Sequence, residues 1–357
     1  MSHEISVQNG VAEMVSGSGI LPWHFSQTQC TIVEGLMTAD EALTKGHLNW
    51  TVRGHTVQVN GQTLAFPQPG EKGKRLDCWQ GICREDTGAC LGIVRGQYEP
   101  IQNKDAFSFF DRLIGQGKAV YDTAGALRGG RQVWLLAKVD GEIQINGDAH
   151  RQYALMLTSH DSSYALQVQW VLTRVVCANT LSIALSNATN TAKIRHTRNW
   201  KDAEAEAARV MGLGEHYFKS IQEHLAGLNS QLLSPDQMED FTKLLLPSTP
   251  GTEDSTRVKN IRTEIQTLFT RGQGNHGSSR WDALQAVSDY TDHAMTLRGK
   301  ASTRLESALQ GAGAKLKQDA FDLLTGEDLL AQLLAVHHKP EQTPTAQGTD
   351  FARLMGN

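Results

Sequence analysis

The sequence predicts an α+β fold, with a mixed or antiparallel sheet in the N-terminal half and a helical C-terminal half. Two observations predict it. Residues 131–176 hold the densest strand pattern of the chain, and residues 200–340 are rich in alanine, glutamate and leucine at helical spacing. We therefore divide the chain into a mobile N-terminus (1–20), a sheet-containing α+β core (21–200), a helical region (201–340) and a disordered tail (341–357).

The central stretch, residues 131–176, should supply at least three strands of one sheet. Residues 132–139 alternate loosely between apolar and polar side chains, and Asp140-Gly141 then favours a two-residue hairpin turn. Ile143 and Ile145 indicate the return strand, and further strands are expected at 153–158 and 165–176. After them, Asn179 or Thr180 is expected to cap a helix that starts at Leu181.

Local signals place several elements around this stretch. Thr38 and Glu41 have the spacing of a capping box, which predicts a helix over 39–45. Asn60-Gly61 predicts a second hairpin. In the C-terminal half, Ser278 or Ser279 should cap a helix that begins at Arg280.

Composition excludes several classes of protein. A length of 357 residues, 39% of them hydrophobic, predicts one large domain or two modest ones. A net charge of −4 argues against an extended basic surface. It contains no apolar run of membrane-spanning length and no signal-peptide pattern at its start, so we expect a cytoplasmic protein without a membrane partner. The spacing of Cys78, Cys83 and Cys90 does not match paired zinc ligands, and we predict no metal site and no cofactor.

The most basic stretch, residues 192–201, carries four cations without an intervening acid, and a histidine and a tryptophan lie between them. Charge that follows phosphates, together with a ring that stacks on a base, is typical of single-stranded nucleic acid sites. A solvated linking segment with its tryptophan buried as an anchor is the alternative. The candidate binding residues of this stretch are Lys193, Arg195, His196, Arg198, Trp200 and Lys201.

Five further arginines are candidates for the same interface. Arg271 and Arg280 lie in and after a glycine-rich loop, and Arg128 and Arg131 lie in and after a glycine-rich turn that lacks the ending of a phosphate loop. Arg174 immediately precedes the expected strand-to-helix switch. Plain surface loops, and pairing of Arg174 with a carboxylate, are the alternatives.

Two groups of residues invite an enzymatic interpretation. Ser159, His160 and Asp161 are adjacent, so they cannot converge as a hydrolase triad does. Asp289, Asp292 and His293 would share one side of a helix, with Asp282 earlier on it, and could hold a metal; a solvated helix face is the alternative. We predict no catalytic residue.

Several motifs in fixed order resemble the phage/plasmid-like proteins grouped as domain of unknown function 932, over about residues 20–300. One departure is Ser162, where members commonly have a glycine. The resemblance implies a mobile-element setting in a bacterial cytoplasm, and it supplies no catalytic residues. The matching motifs are PWH (22–24), TADEAL (38–43), LGIVRGQYEPIQN (91–103), AGALRGGRQVW (124–134), LTSHDSS (157–163), TRVVCANTL (173–181) and FTRGQG with RWDALQAVSDYTDH (269–293).

The function expected first is binding of single-stranded DNA, with annealing as a further step, in phage or plasmid DNA metabolism and recombination. By analogy with single-strand annealing proteins, we expect a homo-oligomer. One alternative is a protein-interaction module that acts against a host defence system. Another is a metal-dependent nucleic-acid-processing enzyme that uses the acids near Asp289.

Overall fold

Strands fill most of the first half of the chain and helices most of the second, which confirms the predicted α+β class. The computed structural model describes residues 5–17, 30–35, 37–60, 63–65, 74–114, 119–174, 180–185, 190–247, 255–295, 307–308 and 311–337. The expected tail (341–357), the PWH motif and Asn179 lie outside these ranges.

The strands form two larger sheets and one two-stranded ribbon. Their bounds are β1 Val7–Gln8, β2 Val11–Ala12, β3 Met14–Ser16, β4 Thr31–Ile32, β5 Val52–Asn60, β6 Thr63–Ala65, β7 Lys74–Arg84, β8 Cys90–Arg95, β9 Ala119–Leu127, β10 Gln132–Ile145, β11 Asp148–Ser159, β12 Leu166–Arg174, β13 Thr180–Leu181 and β14 Thr191–Ile194.

Most helices follow the last strand. A π-helical turn, Tyr290–Ala294, extends α7. None of the helices in the described ranges is both long and apolar enough to cross a lipid bilayer. Their bounds are α1 Ala39–Lys45, α2 Asn103–Ile114, α3 Glu204–Gly212, α4 Gly214–Asn229, α5 Pro235–Leu245, α6 Thr256–Arg271, α7 Arg280–Asp289, α8 Ala312–Thr325 and α9 Leu329–His337.

The large sheet has the strand order β13-β12-β11-β10-β9-β3-β4, and β14 also pairs with β12. It is a mixed sheet, because β3 and β4 are parallel whereas the other neighbours are antiparallel. The small sheet has the order β6-β5-β7-β8 and is antiparallel throughout. Strands β10, β11 and β12 confirm that residues 131–176 supply three strands of one sheet.

The hairpin turn predicted at Asp140-Gly141 is wrong. Strand β10 continues through these residues to Ile145, with a register shift between Lys138 and Glu142. The chain turns instead at Asn146-Gly147, where φ is 53° and 81°. Both dipeptides suit a tight turn, but β11 is long enough to pair on both sides of the first one, which therefore becomes a β-bulge.

The helix predicted after Thr180 is also absent from the described residues, since Thr180 and Leu181 form the short strand β13. Long-range contacts override the local capping signal here. The N–H of Thr180 donates to Oδ2 of Asp292 at 2.8 Å, and its carbonyl accepts from Nζ of Lys317 at 2.6 Å.

Residues 5–17, which lie in the segment expected to be a mobile N-terminus, take part in the sheets. Strand β3 pairs with β9, and Met14 and Val15 are fully buried on opposite faces of the large sheet. No alternating pattern marked this segment, because its three strands are only two or three residues long.

One face of the large sheet shares a continuous hydrophobic core with the helices. Val133 and Leu135 of β10 belong to it, as does Trp281 of α7, a helix that is buried along its whole length. The opposite face carries a second core that includes Trp134 and Leu155. The helical region therefore packs on the sheet instead of forming a separate core.

Candidate nucleic-acid interface

The ends of five strands lie together at one edge of the large sheet. Gln132 at the start of β10 pairs with Leu127 and Ser159, and Leu166 at the start of β12 pairs with Ile194. We call this the upper edge. The opposite, lower edge is where His150 pairs with Arg174.

Four exposed cations extend from the upper edge along β14 and the turn that follows it. Lys193 and Arg195 alternate with the buried Ala192, Ile194 and His196, as side chains of a half-buried strand do. Among the described residues, none of the four cations forms an ion pair. We call this group the basic ridge: Lys193, Arg195, Arg198 and Lys201.

Trp200 does not provide an exposed stacking surface. It is 7% exposed and lies in the core, where it makes an edge contact with Phe109 at 5.5 Å between ring centroids. Lys201 lies over the ring, with Nζ 5.7 Å from its centroid. The alternative interpretation, a buried anchor beneath a solvated segment, describes this residue.

His196 is also buried, and it connects the ridge to the small sheet. Its imidazole stacks on Tyr98 with 4.9 Å between centroids and 9° between the planes, and Nε2 lies 3.4 Å from Oγ1 of Thr158. Burial lowers the pKa of His196 to about 4. The ring is therefore neutral near pH 7 and cannot serve there as a charged phosphate ligand.

The glycine-rich turn brings two more arginines to the upper edge. Arg131 is exposed, and its carbonyl accepts the N–H of His160 at 2.7 Å. Arg128 is partly buried in a 3-10 turn and has a φ of 54°. Neighbouring strands are about 4.8 Å apart, so Arg131, which immediately precedes β10, lies roughly three strand spacings from the end of β14.

The remaining arginine candidates lie elsewhere. Arg280 is buried, its guanidinium donates to the carbonyl of Leu324 at 2.7 Å, and burial lowers its pKa. The adjacent Trp281 contacts His150 at the lower edge, with 5.2 Å between centroids. The exposed Arg271 ends α6, the helix packed on α7.

The structure thus does not bring the basic ridge together with the glycine-rich loop of Arg271 and Arg280. Nine residue steps along β11, from His150 to Ser159, separate the two edges, or roughly 30 Å of strand. The backbone of Arg174 is also at the lower edge, and its side chain lies outside the described residues.

A buried ionic cluster joins the small sheet to the upper edge. Arg84 of β7 is 1% exposed, and its guanidinium binds Glu13 (2.6 and 2.9 Å) and Asp86 (2.7 and 3.0 Å). The guanidinium carbon lies 4.1 Å from the ring centroid of Trp50. Burial alone would lower the pKa of Arg84, but its hydrogen bonds to Asp86 and Glu13 outweigh burial and raise it. This arginine is structural.

The acids proposed for a metal have structural partners. The carboxylate of Asp282 accepts the N–H groups of His276, Ser278 and Ser279, and so caps its own helix. Asp292 forms a buried ion pair with Lys317 at 2.8 Å. Within the described ranges, no three histidine, cysteine, aspartate or glutamate residues are placed to hold a metal ion.

Comparison with protein families identifies the family of this chain. Residues 90–310, more than half of the chain, match the family described as "Domain of unknown function (DUF932)". The chain belongs to this family. No curated protein and no solved structure matches it. The DUF932 match includes the basic ridge and α7, whereas β7, with Arg84, precedes it.

One exposed surface next to the basic ridge was not predicted from the sequence. On the small sheet, Trp79 is 40% exposed and lies directly opposite Arg95, so the two side chains share a face. The N–H of Tyr98 donates to the carbonyl of Arg95, and the N–H of Glu99 donates to that of His196 at 3.1 Å. Strand β7 was not predicted from the sequence; Cys78 and Trp79 are both exposed and residues 81–84 are all buried, so its burial does not follow a period of two.

Proposed function

We propose that the protein binds single-stranded DNA, with the phosphate backbone along the basic ridge and one base stacked on Trp79. The observation that carries the proposal is the ridge itself: four exposed cations that form no ion pair with any described residue. Cations that are not held in ion pairs need not break one before they contact phosphates. The chain as a whole has a net charge of −4, so the positive charge of the ridge is a local feature and not part of a general basic surface.

The shape of the ridge favours a single strand. Lys193 is in β14 and Arg195 directly follows its last residue; both are exposed whereas Ile194 between them is buried, so the two side chains emerge from one face. In an extended chain such positions have about 6.6 Å between their Cα atoms. Such a row can follow successive phosphates of an extended strand. Trp79, with Arg95 opposite it, would accept the face of an unpaired base, which a duplex keeps stacked inside.

A phage or plasmid setting, which the resemblance implies, would favour DNA as the nucleic acid. Resemblance to phage/plasmid-like proteins, in a bacterial cytoplasm, favours a role in DNA metabolism and recombination. Annealing of complementary strands and assembly as a homo-oligomer extend the proposal by analogy with single-strand annealing proteins. Light scattering that gives a monomer mass at tens of micromolar, with and without DNA, would count against both extensions.

An exposed apolar patch favours a second candidate, a protein-interaction module acting against a host defence system. Trp79 and Ile93 are 40% and 39% exposed, and β8 is an edge strand of the small sheet. Edge strands can accept an extended segment of a partner. We do not propose the metal-dependent reaction, because Asp282 and Asp292 are engaged within the fold.

A competition titration tests the proposal. The protein is titrated into a labelled single-stranded oligonucleotide and challenged with unlabelled single strand or with the same sequence as a duplex. We expect the single strand to compete better and binding to weaken as salt rises. Absence of binding at low salt, or equal competition by the duplex, would contradict the proposal.

A further inference from the structure

Two cysteines face each other across the small sheet. Cys83 on β7 and Cys90 on β8 are partners in the antiparallel register, beside a register shift. Directly opposite residues of such a pair have Cα atoms about 4.5–5.5 Å apart and share one face. Disulfides need Cα atoms roughly 4.4–6.8 Å apart, so the backbone already satisfies this requirement.

The two thiols differ in their access to solvent. Cys90 is exposed, whereas Cys83 is 5% exposed. Burial, and then the charge and hydrogen bond of the neighbouring Cys90, raise the pKa of Cys83 to about 11. The two thiols are neighbours across the strand pair, and a reagent in solution meets Cys90 first.

We propose that Cys83 and Cys90 are a redox modification site and form a reversible disulfide with a small disulfide oxidant such as oxidised glutathione. The Cys90 thiolate attacks the oxidant, breaks its S–S bond and releases one glutathione thiol. Cys83 then loses its proton and attacks the Cys90 sulfur of the mixed disulfide, which releases the second glutathione thiol. Two electrons pass from the protein to the oxidant, and the two protons leave with the two glutathione molecules.

The new bond would fasten β7 to β8 immediately after the buried Arg84. Because Arg84 binds Glu13 of the N-terminal segment, the crosslink would reinforce the joint between the small sheet and the upper edge. It would also restrict the unfolded chain, so the melting temperature should rise on oxidation.

Cys78 provides the matched control within the same strand. It is exposed, and its carbonyl accepts the N–H of Gly96, so no cysteine lies opposite it. We expect Cys78 to acquire glutathione as a mixed disulfide that no second thiol resolves. Trypsin cuts after Arg84, so a Cys83–Cys90 bond links two separate peptides, 76–84 and 85–95.

The test treats the full chain with oxidised glutathione, blocks remaining thiols by alkylation and maps the peptides by mass spectrometry. The wild type and Cys78→Ser should both give the linked peptides, with a loss of about 2 Da that dithiothreitol reverses. Cys83→Ser should instead accumulate glutathione on Cys90. Cys90→Ser, at an exposed position, should give no link and keep its fold.

Two results would overturn the proposal. The first is a wild-type protein that carries only glutathione adducts. The second is loss of the linked peptides in Cys78→Ser, which would show that Cys78 pairs with Cys90 instead. If Cys83→Ser does not fold, the comparison of Cys78→Ser with Cys90→Ser still shows whether a disulfide forms between Cys83 and Cys90.

Discussion

The ring of Tyr98 stacks on the imidazole of His196, with 4.9 Å between centroids and 9° between planes. Tyr98 also donates its hydroxyl hydrogen to the carbonyl of Ser159 at 2.6 Å. These contacts fix the turn after β8 against the upper edge. They place Arg95, and with it Trp79, beside the basic ridge.

Substitution of Trp79 should affect DNA binding, whereas substitution of Trp200 should affect stability. Trp79→Ala should weaken single-strand binding by about 1–3 kcal/mol, because an exposed stacking surface is lost. Trp200→Ala should instead lower the free energy of unfolding by about 3–5 kcal/mol, because it leaves a cavity against Phe109. Titration and thermal unfolding of both variants separate the effects. Unchanged affinity in Trp79→Ala would remove this residue from the site.

Substitution of Glu99 should strengthen DNA binding instead of weakening it. This exposed acid is hydrogen bonded through its N–H to His196, so its charge lies beside the basic ridge. Glu99→Gln should tighten binding about twofold at low salt, since a nearby like charge costs the DNA about 0.5 kcal/mol in water. The gain should shrink at high salt. Weaker binding by this variant would contradict the proposed path of the strand.

The buried pair Lys317–Asp292 should be important for stability. Lys317→Met would leave the Asp292 carboxylate and the Thr180 carbonyl without the ammonium that binds both. We expect the free energy of unfolding to fall by about 3–5 kcal/mol, measured by urea denaturation. Lys315→Met, on the exposed face of the same helix, is the control and should change it by less than about 1 kcal/mol. Equal effects of the two changes would argue against a buried pair.

Stability should fall as the pH drops below neutrality. Burial, followed by the nearby charges of His196 and Arg84, lowers the pKa of His160 to about 3, and burial lowers that of His196 to about 4. Unfolded histidines titrate near about 6.5, so between that pH and about 4 the unfolded chain binds more protons than the native one. Stability is therefore complete above about pH 6.5 and decreases below it, by roughly 2 kcal/mol per histidine at pH 5.

Substitution of the buried histidine checks this dependence. His160→Asn should lose roughly 2 kcal/mol less stability than the wild type between pH 7.5 and pH 5, measured by urea denaturation at each pH. His47→Asn is the control, because His47 is exposed and its φ of 54° is one that asparagine tolerates. An identical pH dependence in all three proteins would contradict the burial of His160.

Local chemistry explains which parts of the fold the sequence could predict. The Thr38–Glu41 capping box forms as expected, because both partners lie within one helical turn. The turn in the central hairpin was misplaced, since Asp140-Gly141 and Asn146-Gly147 are equally good turn sequences and only the pairing of β11 chooses between them.

The candidate site was harder to predict, because exposure depends on contacts that are distant in the chain. The cations of the basic ridge are exposed, and two of them, Lys193 and Arg195, alternate with buried neighbours at the end of β14. Nothing local distinguishes the buried Trp200 from the exposed Trp79. Arg84 binds Glu13 across 71 positions, and patterns that treat a charged residue as solvated cannot foresee such a pair.

The salt dependence of single-strand binding tests the central claim most directly. Affinity is measured over a range of salt for the wild type and for Arg195→Ala/Arg198→Ala. Each phosphate contact contributes roughly −0.7 to the slope of log K against log salt, so the double variant should flatten the slope by about 1.4. Arg257→Ala/Lys259→Ala removes two exposed cations from α6 and should keep the wild-type slope. Unchanged affinity and slope in the ridge variant, or equal flattening in the control, would contradict binding along the ridge.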